Sequence, residues 1–216
     1  MEKLKKKTNM KTFIIIFLVL FLTNFAYGQE IDSTKNDIGF GFEISNHINI
    51  AGYKTDINST GNISLGLLLK IKRSYLLISG SSGFNGVYRA AAATNKTDYK
   101  INGVISEIGY KINKSPRFHF NLSLIFEYNF YKDENVTDPY FFISNFSYEH
   151  YIINFYSGYS LKYYLIKQDL YITQGLYIGY GYTNITYDYD DNYTPTYTTG
   201  DDGLIIKNKL GLGYEF

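Results

Sequence analysis

From Ile38 to Phe216 apolar residues recur at every second position almost without interruption, and a period of two means strands. Ile38, Phe40, Phe42 and Ile44 alternate with Gly39, Gly41, Glu43 and Ser45. Ile63, Leu65, Leu67, Leu69 and Ile71 alternate with Ser64, Gly66 and Lys70. Val104, Ile108, Tyr110 and Ile112 alternate with Gly103, Glu107, Gly109 and Lys111. The cleanest run sets Phe118, Phe120, Leu122, Leu124, Phe126, Tyr128 and Phe130 against His119, Asn121, Ser123, Glu127 and Asn129. Tyr151, Ile153, Phe155, Tyr159, Leu161, Tyr163 and Leu165 oppose Asn154, Gly158, Ser160 and Lys162. Leu170, Ile172, Leu176, Ile178, Tyr180 and Tyr182 oppose Thr173, Gly175, Gly179 and Gly181. The last run sets Leu204, Ile206, Leu210, Leu212, Tyr214 and Phe216 against Lys207, Lys209, Gly211, Gly213 and Glu215. Residues 75–88 read as a strand whose faces the pattern does not separate.

These are about eight strands of roughly 10 to 16 residues, where soluble strands favour about 5 to 6 and a tilted bilayer crossing needs about 9 to 11. The connections alternate in length. Short ones fall at 72–74, 113–116 and 167–169, and long ones at 51–61, 89–98, 132–149 and 188–202. Short turns on one side and long loops on the other mark transmembrane strand barrels. Residues 141–148 read as an extension of the sixth strand beyond the membrane. The expected fold is all-β: a closed antiparallel up-and-down transmembrane barrel.

Glycine indicates which face is which. Eleven of the polar-face positions named for glycine, from Gly39 to Gly213, would only weaken a solvent-exposed strand face. A narrow lumen needs small residues. The apolar face is therefore expected to meet lipid, with Tyr110, Tyr128, Tyr163, Tyr180, Tyr182 and Tyr214 forming interfacial girdles.

The N-terminus reads as a secretory leader. Lys3, Lys5, Lys6, Lys7 and Lys11 precede the apolar run 13–22, and Ala26-Tyr27-Gly28 offers small residues for cleavage. The expected division is a signal peptide over 1–28 and a barrel domain over 29–216. Without five Lys and Glu2, 16 of 21 basic and 19 of 20 acidic residues remain, a net charge of −3. That disfavours a nucleic-acid partner, which needs a basic face. Absence of cysteine excludes disulfides, Cys-based zinc sites and a lipidated cysteine anchor.

The chain resembles the small eight-stranded outer-membrane barrels of the OmpA/OmpX type over roughly residues 36 to 216, by pattern rather than by a sharp motif. Its most specific piece is the ending Leu210-Gly-Leu-Gly-Tyr-Glu-Phe216. The resemblance implies location in the outer membrane of a Gram-negative cell. It also implies that Leu210, Leu212, Tyr214 and Phe216 serve as the signal read by the barrel-assembly machinery, and that no periplasmic domain follows Phe216.

Candidate chemistry is sparse. Glu43, Lys70, Glu107, Lys111, Glu127, Lys162, Lys207, Lys209 and Glu215 are expected to fill the lumen as a network of both signs, because an unpaired charge there is costly. The alternative for those charges is a narrow ion path. His47 and His150, with Ser45 and Glu149 nearby in sequence, are the candidates for a lipid-modifying site at the outer rim, while His119 is expected to be structural. Asp188, Asp190, Asp191, Asp201 and Asp202 read as a solvated loop rather than a calcium site. Tyr187, Tyr189, Tyr193 and Tyr197 offer contact area for a surface ligand. Gly39-Phe-Gly41, Gly179-Tyr-Gly181 and Gly211-Leu-Gly213 open no helix and so are not nucleotide loops. The expected function is structural or adhesive, through the external loops, in a monomer without enzymatic activity, metal or cofactor. Outer-membrane lipid and an extracellular ligand are the expected partners.

Overall fold

The computed structural model describes residues 38–53, 56–89, 97–115, 117–136, 146–166, 169–189 and 197–216. Eight strands follow in order: β1 (Ile38–Tyr53), β2 (Asp56–Ile71), β3 (Ser74–Arg89), β4 (Thr97–Lys111), β5 (Phe118–Val136), β6 (Phe146–Ile166), β7 (Leu170–Tyr189) and β8 (Tyr197–Glu215). Each pairs antiparallel with its neighbours in sequence, and β8 closes on β1. Closure reaches the last residue, because the Phe216 N–H donates to the Phe40 carbonyl at 2.8 Å. The expected leader, with its cleavage after Gly28, lies outside the described residues.

The register fixes the geometry. A path of paired residues from Phe42 runs through Leu67, Ile78, Ser106, Phe126, Phe155, Tyr180 and Leu204 and returns to β1 at Gly52, ten residues further along. Strands staggered in this way must tilt, typically by about 35–45°, and eight of them leave a lumen only wide enough for side chains.

The strands are longer than the sequence pattern suggests, at 15 to 21 residues. The stretch 51–61, expected as a long connection, is instead mostly ladder. Gly52 pairs with Ile57, and only residues 54–55 separate β1 from β2. A ladder above the apolar belt needs paired backbone and no apolar face, so Gly52, Asn58 and Ser59 continue it. The other long connections shrink for the same reason, to 90–96, 137–145 and 190–196. Of the expected extension 141–148, residues 146–148 belong to β6 and the remainder lies outside the described residues.

Sidedness follows the glycine argument. Phe126 and Leu212 are 40% and 50% exposed, while Glu127 and Lys209 are 0% and 1% exposed. Seven strands present an uncovered apolar row outward and β3 adds Ile78, a belt suited to hydrocarbon, and the closed ladder satisfies the backbone groups that hydrocarbon would strand. This is the architecture of a transmembrane β-barrel. The unassigned strand also resolves. In β3, Tyr75, Leu77, Ser79 and Ser81 point inward, while Ile78, Gly80 and Ser82 point outward.

Candidate functional site

The lumen is filled in layers. At the end carrying the short turns, the Glu215 carboxylate accepts from Tyr164 Oη at 2.6 Å and Lys70 Nζ at 3.1 Å, with Lys162 Nζ at 3.7 Å. The Lys162 ammonium also sits 4.3 Å from the ring centres of both Tyr75 and Tyr171, a cation–π sandwich in a place where water is scarce. His119 packs its ring on Tyr164 at 4.6 Å. Among the described residues Lys111 joins no acid. Its ammonium donates to the Ser115 carbonyl at 2.8 Å, in a recess it shares with Lys70, Lys72 and Arg73.

The middle layer is the tightest. Lys209 Nζ lies 2.5 Å from Glu43 and 2.6 Å from Glu107, so β8 bridges carboxylates supplied by β1 and β4 across the lumen. Hydroxyls complete both acids. Ser45 and Tyr171 donate to Glu43 at 2.7 and 3.0 Å, and Tyr75 and Tyr177 donate to Glu107 at 2.5 and 3.2 Å. Buried carboxylates with an opposite charge and several donors each are the tolerable kind.

Space for those tyrosines comes from glycine. A Cβ on Gly109 would lie 2.2 Å from the Tyr75 ring, and one on Gly213 would lie 2.2 Å from the Tyr171 ring. Each ring occupies the notch that a missing side chain leaves on a neighbouring strand. The sequence reading missed this set, because Tyr75, Tyr156, Tyr164, Tyr171 and Tyr177 are as apolar as the outward tyrosines. Their parity, shared with the glycines of their own strands in β6 and β7, was the available signal.

The upper layer centres on Glu127. It receives Lys207 Nζ at 3.0 Å, Tyr156 Oη at 2.8 Å, and the amide nitrogens of Asn62 at 3.2 Å and Asn154 at 3.4 Å. Asn49 adds a further contact at 3.3 Å and also donates to Thr60 at 2.8 Å. One inward position further along their strands, Ala51, Ile152 and Ile205 are buried, and Ile101 packs with Ile152. Polar contacts thus give way to an apolar layer before the outer mouth.

The histidines do not meet. His47 lies opposite Asn62 and Lys209, and its Nε2 contacts Ser64 Oγ at 2.8 Å. His150 lies opposite Tyr131 and Ile185 and contacts Thr183. Both are buried in the lumen. The residues near them in sequence have other partners: Ser45 serves Glu43, and Glu149 meets Lys132 at 3.4 Å and Tyr151 at 2.9 Å. Of the loop acids, Asp202 accepts from Tyr180 Oη, while Asp190 and Asp191 lie outside the described residues.

Above the membrane the wall divides. Pairing between β4 and β5 stops at Asn102 and Phe130. Among the described residues, β4 beyond that point continues to Thr97 paired with β3 alone, and β5 continues to Val136 paired with β6 alone. Among the described residues, 97–101 and 131–136 therefore each present an open strand edge. A third edge is residues 197–202 of β8, which pair with β7 after β1 has ended. β5 to β8, at 19 to 21 residues, form a four-stranded sheet that stands above the rest of the rim.

No family model and no curated protein matches the chain. Among solved structures it is similar to a major outer membrane protein from Thermus thermophilus, with a TM-score of 0.48, 12% identity, and 82% of this chain and 99% of that one covered. It is also similar to the outer membrane protease OmpT from Escherichia coli, with a TM-score of 0.42, 11% identity, and coverage of 87% and 99%. Neisserial surface protein A gives a TM-score of 0.41 at 14% identity, with coverage of 82% and 95%. At these scores the likeness adds no argument, and the fold stands on the ladder and the belt.

Proposed function

We propose that this barrel is a surface-binding protein, and that its working part is the sheet formed by β5 to β8 above the outer membrane. The observation that carries this reading is the division of the wall above Asn102 and Phe130. An open strand edge offers a row of unpaired N–H and C=O groups, and proteins without a use for such an edge cover, shorten or charge it. An extended segment of a partner adds to it as one more strand. Main-chain hydrogen bonds then supply affinity, and side-chain pockets supply choice. The barrel below is the rigid anchor for this sheet. Its lumen charges are a packing network, in keeping with the cross-lumen pairs of Lys209 and Lys207. Two accessory roles belong to the same reading. Residues 1–28 direct export and are removed, and Leu210, Leu212, Tyr214 and Phe216 form the assembly signal.

Cells exporting the native chain are compared with cells exporting a version in which an Asn-Gly turn replaces residues 133–148. That turn suits a two-residue hairpin and joins Lys132 to Glu149, which already face each other. Adhesion to a panel of cell surfaces and matrix proteins is expected to vanish, while the barrel still resists detergent until heated. Equal adhesion by the shortened barrel would contradict the assignment. In the native protein, alternate amides of residues 131–136 are expected to exchange hydrogen quickly, whereas the amides of residues 121–130 are protected.

A further inference from the structure

On the two strands that close the barrel, an exposed carboxamide breaks the outward apolar series. Along β1 the outward series runs Ile38, Phe40, Phe42, Ile44, Asn46, Ile48, Ile50. Along β8 it runs Phe216, Tyr214, Leu212, Leu210, Asn208, Ile206, Leu204. Each strand thus places one exposed asparagine in the same position, with four apolar residues on the short-turn side and two on the other. β1 and β8 are also adjacent, being the pair that closes the barrel. Neither amide has a hydrogen-bond partner among the described residues.

The two amides are level with each other. Asn46 is paired with Leu210, and Asn208 is paired with Ile48. A full circuit of the ladder climbs ten residues over eight strands, so each step from β8 to β1 climbs slightly more than one residue. That climb carries Asn208, rather than Leu210, to the height of Asn46. A third exposed amide, Gln174 of β7, lies opposite Leu210 on the far side of β8. By contrast, the belt residues Ser106 and Ser157 are partly covered, and a hydroxyl can turn back on its own backbone.

A carboxamide in hydrocarbon holds two donors and an acceptor that lipid tails cannot satisfy, which makes its exposure there costly. Side-chain amides facing one another across a membrane interface supply the missing bonds. We infer that the β8–β1 seam is an interface with a second copy of this chain, in which Asn46 of each copy bonds Asn208 of the other. The chemistry selects this occupant. Two copies in one membrane share an orientation, so their symmetry axis stands along the membrane normal and keeps every residue at its own height. Only level groups meet across such an axis, and the interface is the same patch on both copies. Two level amides side by side then form two reciprocal pairs, each able to donate and accept. The ladder closes within one chain, so the interface adds to a barrel that folds alone. It is independent of the surface sheet, which lies above the belt.

The chain contains no cysteine, so introduced thiols are unique. Asn46→Cys and Asn208→Cys versions of the full chain, differently tagged, are coexpressed, and isolated membranes are mildly oxidised. The expected product is a mixed disulfide between the two tags, in several-fold excess over Asn46→Cys or Asn208→Cys paired with itself. Leu124→Cys, which faces lipid on β5, serves as the background. A second measurement follows energy transfer between labelled barrels in bilayers at high dilution. The native chain is expected to associate, and Asn46→Leu/Asn208→Leu, which puts a residue suited to lipid at both sites, is expected to lose association while still folding. Mixed cross-linking no greater than the Leu124→Cys background would overturn the inference. So would association unchanged in the double leucine variant, or an adduct with a protein of different mass.

Discussion

Lys209→Met lowers the unfolding free energy of the barrel in urea titration by about 3–5 kcal/mol, the usual cost of removing one partner from a buried charge set. The reason is geometric. Lys209 Nζ is the cation within 2.6 Å of both Glu43 and Glu107, so its loss leaves two carboxylates sharing a space without water enough to solvate them. The tyrosine hydroxyls of Tyr75, Tyr171 and Tyr177 remain as donors but carry no full charge. Neutralising the whole set tests whether charge or shape is responsible. Glu43→Gln and Glu107→Gln, added to Lys209→Met, keep volume and acceptor oxygens and remove the repulsion. The triple variant is expected to recover most of the loss, because replacing all partners together avoids stranding one. A single variant within about 1 kcal/mol of native, below the range for a broken buried pair, would count against a lumen packed on these contacts.

The second large effect is steric. Gly109→Val is expected to abolish the detergent-resistant folded band. Its Cβ would stand 2.2 Å from two atoms of the Tyr75 ring, and that ring is held by hydroxyl contacts to Glu107 and Ser123. Ordinary overpacking costs about 1–3 kcal/mol because neighbours shift. Here the neighbour is pinned in a closed wall. Gly80→Val is the control, since nothing lies within 4 Å of a Cβ at that outward position. It is expected to fold as well as the native chain. Combining Gly109→Val with Tyr75→Ala clears the notch and is expected to restore the folded band. Failure of that rescue, or normal folding of Gly109→Val alone, would show that the ring does not occupy the glycine notch.

Some of this architecture was legible because one physical rule governed it. β5 alternates strictly, Phe126 out and Glu127 in, since one face meets hydrocarbon and the other a polar interior. β3 was opaque because both faces are mixed. Its inward face carries Tyr75 and Leu77, and its outward face carries Gly80 and Ser82. Strand ends were opaque for a different reason. Above the belt only backbone pairing matters, so Gly52 and Asn58 read as loop and lie in ladder. The charged lumen residues could be named from parity, but not their partners. That Lys209 reaches Glu107 rather than Glu127 depends on the ten-residue stagger, which no local pattern encodes. The division of the wall above Asn102 has the same origin.

The central claim is that the oily side of each strand faces hydrocarbon. The chain has no tryptophan, so single substitutions report cleanly. Phe126→Trp and Phe155→Trp, at sites 40% and 50% exposed, and Tyr177→Trp, at a site 1% exposed, are reconstituted in bilayers brominated along the acyl chains. The first two are expected to be strongly quenched and the third to stay bright. Quenching of Tyr177→Trp together with bright, water-shifted emission from Phe126→Trp and Phe155→Trp would contradict the account.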